Sequence, residues 1–248
     1  MRNKTAVFAL LCLVALLALS ACGQKPSVSE STPDATPPGT SPVASSGPAS
    51  APAGAPAEAS LRGVKLVEVV APKNFRDVEF ETPYDVLTKA GALITVVSTK
   101  KGEVVGADGL KVQAVAKPKD IKVAEYTGVI FIGGPGMMDY LNDASFVALA
   151  KAFASAGKLT AAICVAPAIL ANAGLLDGKA ATAFPDVVPV LKAKGAHVVT
   201  DDVAVAGKII TANGPPAAAD FAQALLKALS AQPGKAPASQ PLSTPAKH

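Results

Sequence analysis

One cysteine stands where a reactive thiol is expected. The apolar run Leu159–Ile163 is typical of a buried strand, Cys164 follows it directly, and residues 165–173 have the pattern of a helix. A thiol on such a turn meets free backbone N–H groups and the positive end of the helix dipole, which stabilise a thiolate. The pattern therefore predicts a nucleophilic Cys164 with a lowered pKa. The alternative is a small, inert, buried side chain.

A second strand ends in a run of glycines. Val129–Ile132 is followed by Gly133-Gly134-Pro135-Gly136. In open α/β sheets, ligand sites form at the carboxyl ends of the strands, so the two strand ends are expected to be close. A backbone N–H of the glycine turn is then placed to stabilise an oxyanion.

Apolar strands alternate with helical patterns along the chain. The strands are expected at 64–70, 92–98, 129–132, 159–163 and 180–183, the helices at 77–90, 144–156, 165–173, 185–194 and 217–229, and hairpins at 101–115 and 197–211. Continuous apolar strands between helices indicate a mostly parallel sheet with helices on both faces. The predicted fold is an α/β, flavodoxin-like three-layer sandwich with an added hairpin.

The prolines divide the chain. The 248 residues include 21 Pro, and these concentrate between residues 24 and 60 and after residue 231. Segments rich in Pro, Ala and Ser bury too little apolar surface to offset their ordering entropy. We expect a signal peptide over 1–21, a tether over 22–60, one folded domain over 61–231 and a Pro-rich tail over 232–248.

The N-terminus has the pattern of an export signal. Arg2 and Lys4 precede an apolar run, which ends in Leu19-Ser20-Ala21-Cys22. Small residues before a cysteine at this place resemble the bacterial lipobox, which implies a signal peptide cut before Cys22 and acylation of that residue, palmitate included. Stable anchoring then follows from several acyl chains. The expected location is the cell envelope, facing the periplasm from the outer membrane if the host has two membranes.

Composition narrows the function classes. The net charge is +4, with no basic stripe, so no nucleic-acid partner is expected. Three Cys cannot form a disulfide scaffold of this size, and two His cannot form a His-rich metal site. No cofactor and no metal are expected, and the aromatic content of 4% predicts an aliphatic core.

Four segments, in order, resemble the ThiJ/PfpI family of the class I glutamine-amidotransferase-like superfamily. They are Asn74–Pro83, Val129–Gly136, Ala162–Pro167 with the stretch up to Thr182, and Ile209–Pro215. The resemblance implies that Cys164 is the nucleophile and that Glu79, four residues before Pro83, is its protonated partner. It also implies an oxyanion site at Gly134 and the N–H of Val165, and a homodimer or higher homo-oligomer.

The sequence departs from the family pattern at its histidines. Family peptidases have His directly after the nucleophile, where this chain has Val165, and other members have His at the position of Phe184. His197 is expected to be structural, unless a neighbouring subunit brings it to the site. Because peptide cleavage needs a proton donor for the leaving amine, proteolysis is not favoured.

Three functions stay open from the sequence. The first is an enzyme in which Cys164 adds to a small electrophile, with Glu79 moving protons, as in the glyoxalase, deglycase and hydratase activities that the resemblance implies. The second is a redox sensor or protective binder for envelope stress, which uses the same pair to meet an oxidant. The third is an inactive scaffold on a lipid tether.

Overall fold

A computed structural model describes residues 60–231 of the chain. The signal peptide, Cys22, the tail and all of the tether except Ser60 lie outside the described residues. The strands are β1 (Lys65–Val69), β2 (Lys73–Phe75), β3 (Leu93–Val97), β4 (Gly102–Gly106), β5 (Lys111–Ala114), β6 (Gly128–Phe131), β7 (Leu159–Ile163), β8 (Ala180–Ala181), β9 (His197–Val198), β10 (Val203–Ala206) and β11 (Ile209–Ala212). The helices are α1 (Asp77–Lys89), α2 (Ala144–Ser155), α3 (Pro167–Asn172), α4 (Val188–Ala193) and α5 (Ala218–Ser230).

Six strands form the central sheet, in the order β10-β11-β7-β6-β1-β3. All neighbours are parallel except β10 and β11, which form a hairpin at one edge. Every residue of β6 and β7 is buried, which requires cover on both faces. The predicted α/β fold with a mostly parallel sheet is confirmed.

The helices begin and end for identifiable reasons. At the start of α2, the Asp143 carboxylate accepts the N–H groups of Ser145 at 2.9 Å and Phe146 at 3.1 Å, as expected for a capping residue. Gly91 follows the C-cap of α1 with a φ of +100°, which only glycine adopts at little cost. These ends fix where the chain enters and leaves the sheet.

A second, three-stranded sheet covers the first turn of α1. It has the order β2-β4-β5, and β2, which the sequence analysis missed, pairs in parallel with β4. The Asp77 carboxylate accepts the N–H groups of Asp108 at 2.9 Å and Leu110 at 2.7 Å, so that the β4–β5 turn is held beside α1. The β4–β5 hairpin, which the sequence predicted, is therefore held beside the first turn of α1, the turn that contains Glu79.

Three expectations need correction. The hairpin expected over 197–211 extends over 203–212 instead, since β9 pairs with β8 in a separate two-stranded sheet. α3 begins at Pro167, two residues later than expected, because Cys164 to Ala166 are used in the turn. The core is not purely aliphatic, because five phenylalanines are among its largest fully buried side chains: Phe75, Phe131, Phe146, Phe153 and Phe221.

Candidate functional site

Cys164 occupies a strained turn at the end of β7. Its φ is +67°, a left-handed conformation that is rare for a residue with a side chain. Neighbouring segments hold both of its backbone groups, since its N–H donates to the Ala212 carbonyl at 2.9 Å and its carbonyl accepts the Phe184 N–H at 2.8 Å. Hydrogen bonds from two directions thus offset the strain, and they fix the direction of the thiol.

Glu79 is the third residue of α1 and is fully buried. Its carboxyl therefore does not act as a solvent-exposed charge at the start of the helix. A glutamate at this position often bonds back to the N-cap N–H. Here the N–H of Arg76, the N-cap residue, donates instead to the Gly133 carbonyl at 3.1 Å, which leaves the Glu79 carboxyl free.

The absence of a side chain at Gly133 lets Glu79 and Cys164 meet. A Cβ at position 133 would lie 2.5 Å from Cys164 Cβ, 2.7 Å from Glu79 Oε2 and 2.9 Å from the Ile163 carbonyl oxygen. The thiol-bearing carbon and the carboxyl oxygen thus flank one small volume, which only glycine leaves empty.

Gly134 brings the same loop onto the start of α1. Its φ is +109°, and a Cβ there would overlap the Arg76 nitrogen and approach the Phe75 carbonyl carbon at 2.6 Å. The backbone N–H groups of Gly134 and Val165 lower the pKa of the Cys164 thiol. The two N–H groups that the sequence analysis expects at the oxyanion site are therefore near the sulfur.

The Glu79 carboxyl has a pKa close to neutral pH. Burial raises its pKa from 4.5 to about 7, and the Cys164 thiol, the Arg76 charge and the Gly133 N–H oppose that rise. Neither carboxyl oxygen has a partner that meets ordinary hydrogen-bond distances and angles. The thiol and the carboxyl are therefore close to one another but are not aligned as an ordinary hydrogen bond.

The thiol pKa moves in the direction opposite to the sequence-based expectation. Burial, followed by the charge and the close approach of the Glu79 carboxyl, raises the pKa of Cys164 from 9.0 to about 12. The short, late-starting α3 contributes little to a thiolate, because the field of a helix end fades within a turn. Since the two groups interact, they titrate as a pair that holds one proton between about pH 7 and about pH 12.

The residues at the family's histidine positions are apolar and close to the thiol. Val165 is buried, and the half-buried Phe184 bonds to Cys164 through its N–H. His197 is exposed on β9 and is not among the groups that shift the pKa of Cys164 or Glu79. Within residues 60–231, no group of three His, Cys, Asp or Glu side chains is arranged to hold a metal ion.

Sequence reasoning missed two residues at this site and one buried carboxyl away from it. Arg76 is the N-cap of α1, and Gly133 separates Cys164 from Glu79. Glu68 is a second buried glutamate, on β1. A charged residue inside the apolar run Val64–Val70 was a visible signal for Glu68. Nothing in the local pattern indicated Arg76, because its place depends on a contact with Gly133 that is distant in sequence.

A cavity of about 400 Å³ opens beside the glycine loop, where strands of the central sheet end. It is lined by Pro72, Lys73, Asn74, Thr99, Lys100, Gly136, Asp139 and Tyr140. Asn74 has a φ of +54°, the other left-handed residue with a side chain in the described structure. Gly136 is the one residue of the glycine loop that lines this cavity, and neither Cys164 nor Glu79 does.

No helix within residues 60–231 is long and apolar enough to cross a membrane.

Known proteins resemble the domain in sequence and in structure. The DJ-1/PfpI family model matches residues 65–228. An uncharacterised protein of Methanocaldococcus jannaschii is 38% identical over 173 residues, which cover 68% of this chain and 84% of that protein.

Two solved structures have the same fold. The ThiJ/PfpI domain protein from Brachyspira murdochii aligns with a TM-score of 0.67 and 28% identity, over 69% of this chain and 98% of that one. Oxidised DJ-1 from Toxoplasma gondii aligns with a TM-score of 0.60 and 32% identity, over 67% of this chain and 90% of that one. By sequence and by structure, the chain belongs to the DJ-1/PfpI family.

Proposed function

We propose that Cys164 is the nucleophile of an enzyme that acts on small carbonyl electrophiles such as α-oxoaldehydes, with Glu79 as its proton relay. The observation that carries the proposal is the strained Cys164 backbone with the Glu79 carboxyl on the other side of Gly133. Strain at a non-glycine residue is retained where the surroundings over-determine it, and such places are often functional sites.

The pKa values of Glu79 and Cys164 indicate how the thiol proton moves in this reaction. Above pH 7, the Glu79 carboxylate accepts the thiol proton while the sulfur attacks the carbonyl carbon. An S–C bond forms, the C=O π bond opens, and Glu79 returns the proton to the new oxygen. The N–H groups of Gly134 and Val165 stabilise charge on that oxygen.

The adduct is a hemithioacetal bound to Cys164. Glu79 then moves the proton from the carbon that bears sulfur to the neighbouring carbonyl carbon, which gives a thioester, and water hydrolyses the thioester to a 2-hydroxy acid and the free thiol. The reaction sequence needs water but no oxidant, reductant or leaving amine.

Methylglyoxal consumption tests this function. We expect turnover in the wild type, its loss in Cys164→Ser, and a drop of about 10²–10⁴-fold in Glu79→Gln, the usual range for a general base. Glu81→Gln is the matched control, because Glu81 is an exposed residue of the same helix. Equal rates in Cys164→Ser and the wild type would reject the enzyme.

A redox sensor is the second candidate, since the DJ-1 of Toxoplasma gondii was solved in an oxidised form. The thiolate is the species that peroxide oxidises, and the raised Cys164 pKa disfavours a standing thiolate. Hydrogen peroxide treatment followed by mass spectrometry separates the candidates. Rapid sulfinic acid formation at Cys164, without methylglyoxal turnover, would favour the sensor.

We further propose that lipidated Cys22 and the tether 22–60 hold the domain at the cell envelope, facing the periplasm from the outer membrane if the host has two membranes. The lipobox-like Leu19-Ser20-Ala21-Cys22 supports this. Cys22→Ser is expected to release the full chain from membranes on fractionation, whereas Cys12→Ser is the control. Retention of Cys22→Ser in the membrane fraction would contradict lipid anchoring.

Self-association as a homodimer is also part of the proposal. A groove of about 460 Å³ between α1 and the β3–β5 region is lined largely by apolar and aromatic side chains, and Val115 beside it is 60% exposed. Exposed apolar surface of this kind suits a protein partner. Sedimentation of the full chain in detergent tests it, because Val115→Asp is expected to weaken a dimer, and a monomeric wild type would refute it.

A further inference from the structure

We infer that the domain docks on the anionic headgroups of a phospholipid bilayer through the edge of the central sheet at which the parallel strands begin. The docking surface consists of Lys65, Lys158, Lys208 and Lys227, and we call it the lysine edge. The inference rests on the proposed location at the cell envelope, and it gives the orientation that the domain takes there.

Lysines stand at the starts of three parallel strands of the central sheet. Lys65 is the first residue of β1, and Lys158 and Lys208 directly precede β7 and β11. The register of β1, β6 and β7 places Lys65 and Lys158 level with one another, and Lys208 lies one residue further along. Because neighbouring strands are about 4.8 Å apart, the three lysines span about 14 Å along one edge of the sheet.

An apolar groove of about 610 Å³ opens at the same edge, between α5 and the β10–β11 hairpin. Its two charged lining residues are Lys208 and Lys227, and Val205 beside them is 58% exposed. The other lining residues are small or apolar: Leu159, Val203, Gly207, Ala224, Ala228 and Ala231. Apolar surface next to lysines is the composition of surfaces that bind in the membrane interface.

The positive charges of the lysine edge are not neutralised within residues 60–231, because none of the four lysines has an ion pair there. Two of them donate hydrogen bonds to backbone carbonyls, which leave the charge in place, and the other two are exposed. Of the acids towards this end of the domain, Asp85 and Glu125 are paired with other lysines. Asp177 is followed two residues later by Lys179.

Both ends of the described chain leave the domain at this edge. The Leu61 N–H donates to the carbonyl of Ala90, directly after α1, at 2.7 Å, and Ala231 lines the apolar groove. The proposed tether 22–60 therefore enters the domain on the side of the lysine edge. A chain of this length spans about 35 Å as a random coil, so that a bilayer that holds Cys22 is within reach. Tethering makes even a weak attraction between lysine and lipid effective.

The Cys164 site faces away from the bilayer in this orientation. Strands rise about 3.3 Å per residue, so the five residues of β7 place Cys164 roughly 17 Å from the lysine edge. The docked domain therefore takes its electrophile from the aqueous phase and not from the lipid.

Flotation of the full chain with vesicles tests the inference. Cys22→Ser removes the acyl chains, and the vesicles are phosphatidylcholine with or without about 30% phosphatidylglycerol. We expect binding to the anionic vesicles at low salt that high salt abolishes. The triple variant Lys65→Gln, Lys208→Gln, Lys227→Gln should weaken this binding about a hundredfold, because each lysine near an anionic surface contributes about fivefold.

The matched control is the triple variant Lys73→Gln, Lys100→Gln, Lys151→Gln, which removes the same charge from exposed lysines outside the lysine edge. Equal losses in the two triple variants would overturn the inference. Equal binding of the Cys22→Ser chain to neutral and anionic vesicles would overturn it as well.

Lysine acetylation of the otherwise unsubstituted chain, followed by mass spectrometry, gives a second readout. Anionic vesicles should slow the acetylation of Lys65 and Lys227 several-fold and leave Lys151 unchanged, and equal rates with and without vesicles would contradict docking. A dimer in sedimentation that the lysine-edge substitutions dissociate would assign the edge to a second copy instead. If Cys22→Ser stays in the cellular membrane fraction, lipid anchoring fails, while vesicle binding still decides the role of the lysine edge.

Discussion

Two glutamates are fully buried in this domain, and their surroundings differ completely. Glu68 lies in β1, in register with Val96 of β3 and Ile130 of β6, and Glu79 lies at the start of α1. All four carboxyl oxygens lack partners of ordinary hydrogen-bond geometry. Burial raises the pKa of both groups.

The two glutamates differ in the groups that oppose the effect of burial on the pKa. No group lowers the pKa of Glu68, whereas a thiol, a guanidinium and a backbone N–H lower that of Glu79. Burial and a shifted pKa therefore do not identify a functional carboxyl by themselves. The strained Cys164 backbone and the glycine loop distinguish Glu79 from Glu68, because in the proposed mechanism they give the Glu79 proton a destination.

The sharpest test of this comparison makes the same substitution, glutamate to glutamine, at both positions. Glu79→Gln is expected to lower methylglyoxal turnover about 10²–10⁴-fold, because the general base is lost. Glu68→Gln is expected to change turnover less than about twofold, since no reacting group contacts it. Steady-state kinetics at pH 8 measure both, after circular dichroism has shown that the variants are folded. Similar losses in both would show that the comparison is wrong.

The next test separates the pair without touching either member. Gly133→Ala places a methyl group between Cys164 and Glu79, and we expect a loss of turnover of about a hundredfold from such misplacement. Gly128→Ala, in the strand beside Glu68, places its methyl 2.8 Å from Leu159 Cβ and should cost stability instead. Kinetics and urea unfolding of both variants check this, and full activity of Gly133→Ala would argue against proton transfer across position 133.

Removal of the idle carboxyl should stabilise the domain. A buried polar group without partners costs free energy that an apolar side chain of similar size does not. We expect Glu68→Leu to raise the free energy of unfolding at pH 7 by about 1–4 kcal/mol. Urea unfolding measures it, with the exposed Glu81→Leu as control. Destabilisation by Glu68→Leu would mean that the carboxyl has a structural partner.

The smallest effect is the pH dependence of that gain. An acid whose pKa is raised by folding keeps its proton in the folded state after the unfolded chain has lost it. Its contribution is therefore complete below the ordinary value of 4.5 and declines as pH rises towards the folded pKa. The stability difference between Glu68→Leu and the wild type should grow by up to about 1.4 kcal/mol per pH unit above pH 4.5.

The same rule gives the pH range over which Glu79 affects stability. Its contribution to the free energy of unfolding should decline from pH 4.5 to about 7, and this decline should be missing in Glu79→Gln. Urea unfolding at intervals of half a pH unit compares the wild type, Glu68→Leu and Glu79→Gln. A wild-type stability that does not fall over this range would contradict the raised pKa of both glutamates.

Much of the fold was predictable because local patterns agreed with the tertiary structure. The run Leu159–Ile163 was predicted to the residue, and both ends of α1 and α2 were predicted to within one residue. The short strands were not predictable, since β2 and β9 have two or three residues and exist only through their partners β4 and β8.

The candidate site also has some features that were predictable from local sequence and others that were not. Cys164 after a strand and the glycines after Ile132 are local signals, and the family resemblance implied Glu79. The thiol pKa was predicted in the wrong direction, because the strand–Cys–helix pattern does not reveal that the turn is buried and faces a carboxyl.

The sequence by itself determined the elements, their order and the residue types at the strand ends, because hydrophobic periodicity and capping act over a few residues. Only the tertiary structure decided which groups meet. It set the left-handed Cys164 between Ala212 and Phe184, placed Glu79 across Gly133, and buried Glu68 in register with Val96 and Ile130. Burial and charge act through space, so two glutamates eleven positions apart in one chain have opposite prospects for chemistry.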